Sequence, residues 1–214
     1  VTFVTDARHE RSETRIKTRL PGAPVAGIER SRLEPLFMAT PLRHSDPSRI
    51  VADARTFFVT SSITDKRNLL QSHRSAELFV RVLRDYRAQG KFRLHEFVVM
   101  PDHFHLLLTV GGELSIEQAL QFVKGGFAFR AGRELAFNAP VWQKGFSEVR
   151  VQDSQAYRQI AEYIRSNPVA RHLVATAEEF PYSSAHGGFD LDPVPQGIKP
   201  DNSCPQLGMA KAMP

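Results

Sequence analysis

Between residues 55 and 189 short apolar runs alternate with amphipathic stretches, and the period of each one predicts an element. Thr56-Phe57-Phe58-Val59-Thr60 is β-branched and aromatic and ends in Ser61-Ser62, as a strand entering a turn does. Ala76, Phe79, Val80, Leu83 and Tyr86 recur at i, i+3, i+4, i+7 and i+10, which predicts an amphipathic helix over Ser75–Gln89 closed by Gly90. Leu94–Met100 and His103–Val110 predict two strands joined by a tight turn at Pro101-Asp102. Ser115 caps a second helix running to about Glu134, with Glu117 in its first turn, where a carboxylate meets the positive end of the helix dipole. Val141–Val151 predicts a further strand. Ser154–Ser166 predicts a third helix that stops before Pro168, because the residue preceding a proline is driven out of the helical region. This order of elements predicts an α+β fold, a ferredoxin-like antiparallel sheet with packed helices.

Outside that unit the apolar groupings never reach element length. Pro21, Pro24, Pro35, Pro41 and Pro47 interrupt them, so residues 1–54 are expected to be a low-order extension. Residues 190–214, with Pro193, Pro195, Pro200, Pro205 and Pro214, are expected to be a disordered tail. The segment before about Asp53 is expected to be dispensable, with a start at Met38 leaving a short lead before the first strand. The competing reading is a basic arm of Arg8, Arg11, Arg15, Lys17 and Arg19, weakened by the interleaved Asp6, Glu10 and Glu13.

Composition narrows the class. With 42% hydrophobic and 24% charged residues in 214, the chain has enough apolar material for one sizeable core. Its apolar runs fall far short of the roughly 20 residues that a membrane span needs. The single cysteine, Cys204, forms no internal disulfide and excludes a cysteine-based zinc site, so a reducing cytoplasm is the expected compartment. Lys and Arg exceed Asp and Glu by 28 to 23, a net +5 with no polybasic block. A surplus of that size suits nucleic acid, yet many metabolic enzymes share it. No Walker-type glycine-rich loop is present, so no nucleotide cofactor is expected.

The candidate chemistry begins at His103-Phe104-His105. On a strand the two imidazoles share one face and Phe104 takes the other, so the pair could converge on one metal or be two strand histidines without a function. Tyr163 and Asn167 are four apart on the third helix and share its face. An amide oxygen suits a hard divalent ion, and a phenol beside it could attack what that ion polarises. The competing reading is a half-buried helix tyrosine and a helix-ending asparagine.

Four ordered segments bear on that choice: Leu94-His95-Glu96-Phe97-Val98-Val99-Met100-Pro101-Asp102-His103-Phe104-His105-Leu106-Leu107-Leu108, Val141-Trp142-Gln143-Lys144-Gly145-Phe146, Tyr163-Ile164-Arg165-Ser166-Asn167-Pro168-Val169 and Tyr182-Ser183-Ser184. Together they resemble the signatures of the REP-associated tyrosine transposases, of the IS200-like single-tyrosine HUH superfamily, over about Thr56 to Gly188. The resemblance implies the HUH endonuclease fold, Tyr163 as nucleophile, and Mg²⁺ or Mn²⁺ bound by His103, His105 and Asn167. It further implies single-stranded hairpin DNA of the REP type as substrate, a 5′-phosphotyrosine intermediate, and a monomer in preference to the helix-exchanged dimer of related enzymes.

Asp102 stands where many relatives have asparagine, and is open to reading as a turn residue or as added charge near the metal. Phe146-Ser147-Glu148-Val149-Arg150 lacks histidines that many members carry, leaving Glu148 as a hydrogen-bond partner that could hold a ligand histidine in place. Lys124, Arg130 and Arg133 on the second helix, with Lys144 and Arg150 on the neighbouring strand, form the expected DNA-binding surface. Phe127 is divided between that surface and the core, while Trp142 is read as packing and Ser183 and Ser184 as capping or turn residues. His73, His95, His172 and His186 are read as surface or structural. Two rival functions stay open: a domesticated hairpin-DNA-binding protein that no longer cuts, and a metal-dependent phosphodiesterase using water.

Overall fold

The computed structural model describes residues 54–111, 114–195 and 198, so the expectations for the N-terminal extension, for Cys204 and for the end of the tail lie outside the described residues. Strands β1 (Arg55–Ser62), β2 (Arg93–Val99), β3 (His103–Val110) and β4 (Ser147–Val151) form one sheet in the order β2-β3-β1-β4. Every pairing is antiparallel. With helices α1 (His73–Ala88), α2 (Ile116–Glu134) and α3 (Ser154–Ala170), this is the ferredoxin-like α+β order expected from the pattern.

The strand pleat divides the sheet into two unlike faces. Phe57, Val59, Phe104, Leu106 and Leu108 point toward α1 and α2, where they meet Phe79, Val82, Leu83, Val123 and Phe127. The Phe104 ring lies 4.8 Å from Phe79 and 5.3 Å from Trp142. Phe58, Val98, Met100, Leu107 and Val151 point the other way and meet Tyr157, Ile160, Ala161 and Ile164 of α3. Phe127 is fully buried and belongs to the core. Trp142 is packing, as expected, and its Nε1 donates to the Lys124 carbonyl at 2.8 Å.

Local chemistry explains where the elements differ from expectation. Helix α1 begins two residues earlier than the periodicity indicates, because Ser72 caps it by accepting from the Ser75 N–H. Helix α2 starts where expected, closed by a reciprocal capping box between Ser115 and Gln118. The strand expected over Val141–Val151 is shortened to Ser147–Val151. Gly145 at φ 79° turns the backbone, and Trp142 keeps only an isolated bridge to Ile63.

Helix α3 does not stop before Pro168 but runs through it to Ala170. The proline removes one amide donor near the helix end, while Arg171 N donates to the Asn167 carbonyl and Leu173 N to that of Pro168. Asn167 and Pro168 are both buried, so tertiary packing outweighs the local preference. Residues 190–192, expected to belong to a disordered tail, are placed along β2. There Asp192 N donates to the Leu94 carbonyl at 2.8 Å.

Candidate active site

The Pro101-Asp102 turn sets the geometry at the head of β3. Met100 N donates to the His103 carbonyl at 2.8 Å, and Ile63 N to that of Asp102 at 2.8 Å. With the turn fixed, the pleat sends His103 and His105 toward α3 and Phe104 into the opposite core. Both histidines are about 95% buried, with ring centroids 4.8 Å apart.

Each imidazole is held through Nδ1. Asp102 Oδ1 lies 2.5 Å from His103 Nδ1, and Thr60 Oγ1, opposite His105 in the strand register, lies 2.7 Å from His105 Nδ1. Asp102 thus stands within the turn and sets its charge beside His103. His105 Nε2 is buried with no hydrogen-bond partner. Burial lowers the pKa of His103, opposed by the neighbouring Asp102 carboxylate. It lowers His105 further, assisted by His103, Arg171 and Lys66. Both rings therefore favour the neutral form, which has a lone pair to give.

Helix α3 brings the remaining residues. Tyr163, Asn167 and Arg171 follow one another at i, i+4 and i+8, and the first and last line a cleft with Phe58, Thr60, His103 and His105. The cleft encloses about 190 Å³. The Tyr163 ring stands 5.4 Å from His105, with Phe58 stacked on the same imidazole at 5.4 Å. Asn167 is 95% buried and its Oδ1 has no hydrogen-bond partner. Two imidazoles and an amide oxygen are donor types that suit a divalent ion, and His105 Nε2 and Asn167 Oδ1 are both buried and unmet. Among the described residues no cluster of three or more His, Cys, Asp or Glu could hold a metal, so a metal held here would need that amide.

Several expected roles move. Glu148 is among the residues lining the cleft, but it pairs with Val59, so its side chain takes the face toward α2 and Glu117 rather than that of the histidines. Desolvation, and then Glu117, raise its carboxyl to about 7. The partners of the histidines are Asp102 and Thr60, not Glu148. Lys124 is also occupied, donating to the carbonyls of Gln143 at 3.2 Å and Gly145 at 2.6 Å, and burial lowers its pKa.

Arg130 is tied to Asp85 at 2.5 Å and joins α2 to α1. Arg133 is exposed over the exposed Phe129 ring, on a helix that covers the face opposite the cleft. Arg150 is exposed and pairs with Phe57, again on that opposite face. Lys144 alone of the five lies beside a groove adjoining the cleft. Sequence reasoning missed Thr60, Lys66 and Arg171, none of which carries a local signal.

Ser184 is more than a turn residue. Its hydroxyl donates to Glu96 Oε2 at 2.5 Å, and the other Glu96 oxygen is paired with Arg165 of α3. The buried carboxylate thus ties the Tyr182-Ser183-Ser184 segment and the tyrosine-bearing helix to β2. His95 is structural, bonded to Thr109 Oγ1 at 2.8 Å.

The family model described as "Transposase IS200 like" matches residues 57–167. The REP-associated tyrosine transposase of Escherichia coli (strain K12) is 25% identical over 146 residues, spanning 66% of this chain and 83% of that protein. An uncharacterized protein of Haemophilus influenzae is 31% identical over 98 residues, 36% of this chain and 54% of its own. A solved structure of a REP-associated tyrosine transposase bound to a REP hairpin has a TM-score of 0.54 and 24% identity, covering 69% of this chain and 83% of that one. At that identity the likeness speaks for the fold. Among the described residues no helix is long and apolar enough to cross a membrane.

Proposed function

We propose a chemistry for this chain, which belongs to the IS200-like transposase family: metal-dependent cutting and rejoining of single-stranded hairpin DNA, with Tyr163 as nucleophile. The observation that carries the reading is the pair of buried, unpartnered ligand atoms, His105 Nε2 and Asn167 Oδ1, beside a cleft that Tyr163 lines. Leaving such an atom unpaired costs about 1–3 kcal/mol, a cost that a bound ion would remove. The hairpin is supported by the solved relative, which is bound to one. One chain supplies both histidines, Asn167 and Tyr163, which supports a monomer as the working unit.

Mg²⁺ or Mn²⁺ held by His103, His105 and Asn167 would withdraw charge from a non-bridging oxygen of the scissile phosphate and so make phosphorus more electrophilic. Asp102 accepts from His103 Nδ1 and leaves that ring's Nε2 for a ligand, and with Thr60 Oγ1 accepting from Nδ1, His105 keeps its Nε2 likewise. Phe58 touches both the His105 and Tyr163 rings and sets their spacing. Tyr163 Oη attacks phosphorus in line with the departing 3′ oxygen. The P–O3′ bond breaks as the tyrosine ester forms, the phenol proton passes to water, and the 3′ oxygen takes one up. The products are a 5′-phosphotyrosine and a 3′ hydroxyl. Because the ester is conserved, a 3′ hydroxyl can reverse the step on another strand without a nucleotide cofactor.

The test is incubation with a labelled single-stranded hairpin library and Mg²⁺, a denaturing gel, and peptide mapping of trapped adducts. DNA should map to Tyr163, and Tyr163→Phe should abolish both cut and adduct. His103→Ala or His105→Ala should abolish cutting while largely retaining hairpin binding, because the hairpin is held by distributed phosphate and stacking contacts. Continued cutting by Tyr163→Phe would identify a hydrolase that uses water. Tight binding without any cut by the wild type would identify a binding protein.

A further inference from the structure

We propose that Lys66 marks the route by which single-stranded DNA leaves the cleft, binding the phosphate next to the scissile one and directing the adjoining nucleotide into a groove bounded by Trp142 and Lys144. This rests on the reading of the cleft as a DNA-cutting site and adds the path of the strand outside it.

Position is the first support. Lys66 lines the cleft together with His103, His105 and Tyr163, and it also lines the neighbouring groove formed with Pro140, Trp142, Gln143 and Lys144. A strand crossing from one to the other passes its ammonium. Backbone conformation is the second. Asp65 and Lys66 stand at φ 57° and 54°, in the left-handed region that residues with a Cβ seldom adopt. Lys66 N donates to the Ile63 carbonyl, Arg67 N to that of Thr64, and Thr64 N to that of Val141. Arg67 Nη2 reaches the Pro140 carbonyl at 2.6 Å, fastening the turn to the groove.

The effect of this turn is to fix a lysine that would otherwise swing freely. Its Nζ donates to Ser62 Oγ at 2.8 Å and stands 3.8 Å from Asp102 Oδ2, yet the side chain remains 64% exposed. An exposed cation held beside the carboxylate partner of His103 is placed to meet an anion arriving at the cleft. Arg171, just past the end of α3, lines the same cleft, so the expected diester would pass between two cations.

The groove supplies what a lone anion would leave unused. Trp142 and Pro140 give it an apolar wall and Lys144 a second exposed cation, with Asp65 also on its lining. A partly exposed apolar wall between two positive charges suits a nucleotide, whose base meets what the packed Trp142 ring leaves open and whose phosphates take the charges. Lys124, occupied by two carbonyls on the inner side of this segment, holds the wall in place and contributes no free charge.

The experiment measures binding of a fluorescein-labelled hairpin with single-stranded flanks to the Tyr163→Phe protein, by anisotropy over a salt series, and steady-state cutting by the protein with Tyr163 intact. Lys66→Gln should lower the slope of log K against log salt by about 0.7, the share of one phosphate contact on a single strand. It should raise KM for cutting by a larger factor than it lowers kcat. Lys144→Gln should do the same more weakly. A neutral methylphosphonate adjoining the cut, on one of its two sides, should weaken wild-type binding and have little further effect in Lys66→Gln. If Lys66→Gln proves unstable, Lys66→Arg, which keeps the charge, should fold and bind with the wild-type slope.

An unchanged slope and KM in Lys66→Gln, or a methylphosphonate penalty equal in variant and wild type on both sides, would overturn the inference while cutting through Tyr163 still stands. The expected slope change in a protein that forms no Tyr163 adduct would support the DNA path and overturn the cutting chemistry instead.

Discussion

The two faces of the sheet solve different problems with the same strands. Toward α1 and α2, β3 presents Phe104, Leu106 and Leu108, and the facing helices answer with Phe79, Val82, Leu120 and Phe127. Toward α3, β2 and β3 present His95, Glu96, His103, His105 and Thr109, all buried and all polar. Most of these are satisfied by partners: Thr56 bonds Thr109, His95 bonds Thr109, and Glu96 bonds Ser184 and Arg165. Among the described residues, buried side-chain atoms without a partner include His105 Nε2 and Asn167 Oδ1 on this face, with Ser61 Oγ and Glu148 Oε2 on the other by register. One face thus holds the fold by filling volume. The other spends its polar groups on placing a helix and leaves unmet valence where chemistry is expected.

That contrast is most sharply tested by truncation on the apolar face. Phe104→Ala should cost about 3–5 kcal/mol in a urea or thermal melt, since the ring is fully buried against Phe79 and Trp142 and its loss opens a cavity. A cost below about 1 kcal/mol would mean that the two faces share the stabilising load.

A smaller effect is expected at the support of the polar face. Asp102→Asn keeps the turn but replaces a charged hydrogen bond to His103 Nδ1 by a neutral one. Loss of such a partner generally costs about 10–100-fold in metal affinity, and calorimetric titration with Mn²⁺ reads it directly. Equal affinity in the two proteins would reduce Asp102 to a turn residue. Unfolding midpoints should stay close together, because the carboxylate sits at the surface end of the pair.

The same contrast explains what was legible in the sequence. Period-2 and period-3.6 patterns report which side chains are buried, so β1, β2, β3, α1 and α2 could be read within a few residues, and the shared face of His103 and His105 followed from the pleat. Tyr163 and Asn167 were legible because they are neighbours on one helix. Events set by distant partners were not. Helix α3 continues through Pro168 because packing overrides the local preference, and Gly145 breaks a strand that hydropathy alone would carry through. Glu148 is turned away from the histidines by its pairing with Val59, a register that β4 does not reveal by itself. Ser184 meets Glu96 across 88 residues of chain, and Lys66 and Arg171 reach the cleft from a turn and a helix end.

The smallest effect is expected at the far edge of β2, where a segment that reads as tail is fastened by one carboxylate. Asp192 Oδ2 accepts from Arg87 Nε and from Leu94 N, both at 2.7 Å, and its Oδ1 accepts from Arg87 Nη2 at 3.2 Å. Burial alone would raise its pKa, but the hydrogen bonds from Arg87 and Leu94 outweigh it and hold the carboxyl below its usual value of 3.8. A folded-state pKa below the unfolded one means that the unfolded chain binds a proton more readily. Its contribution to stability is therefore complete above about pH 4 and declines as pH falls through the folded value. His95 also loses stability on acidification, since burial lowers its pKa; the Asp192 carboxylate partly offsets that shift, so the variant loses slightly more there and the gap closes only below pH 4. Asp192→Asn should accordingly cost about 1–2 kcal/mol at neutral pH, the range for a hydrogen bond to a charged group, and the gap between the two melting curves should close as pH drops below 4. A gap that persists unchanged into acid would show that the carboxylate charge contributes nothing and that main-chain pairing with Leu94 alone holds this segment. Cutting by the Tyr163 site should be unaltered in either case, because the fastening lies on the edge of the sheet remote from β4 and the cleft wall it forms.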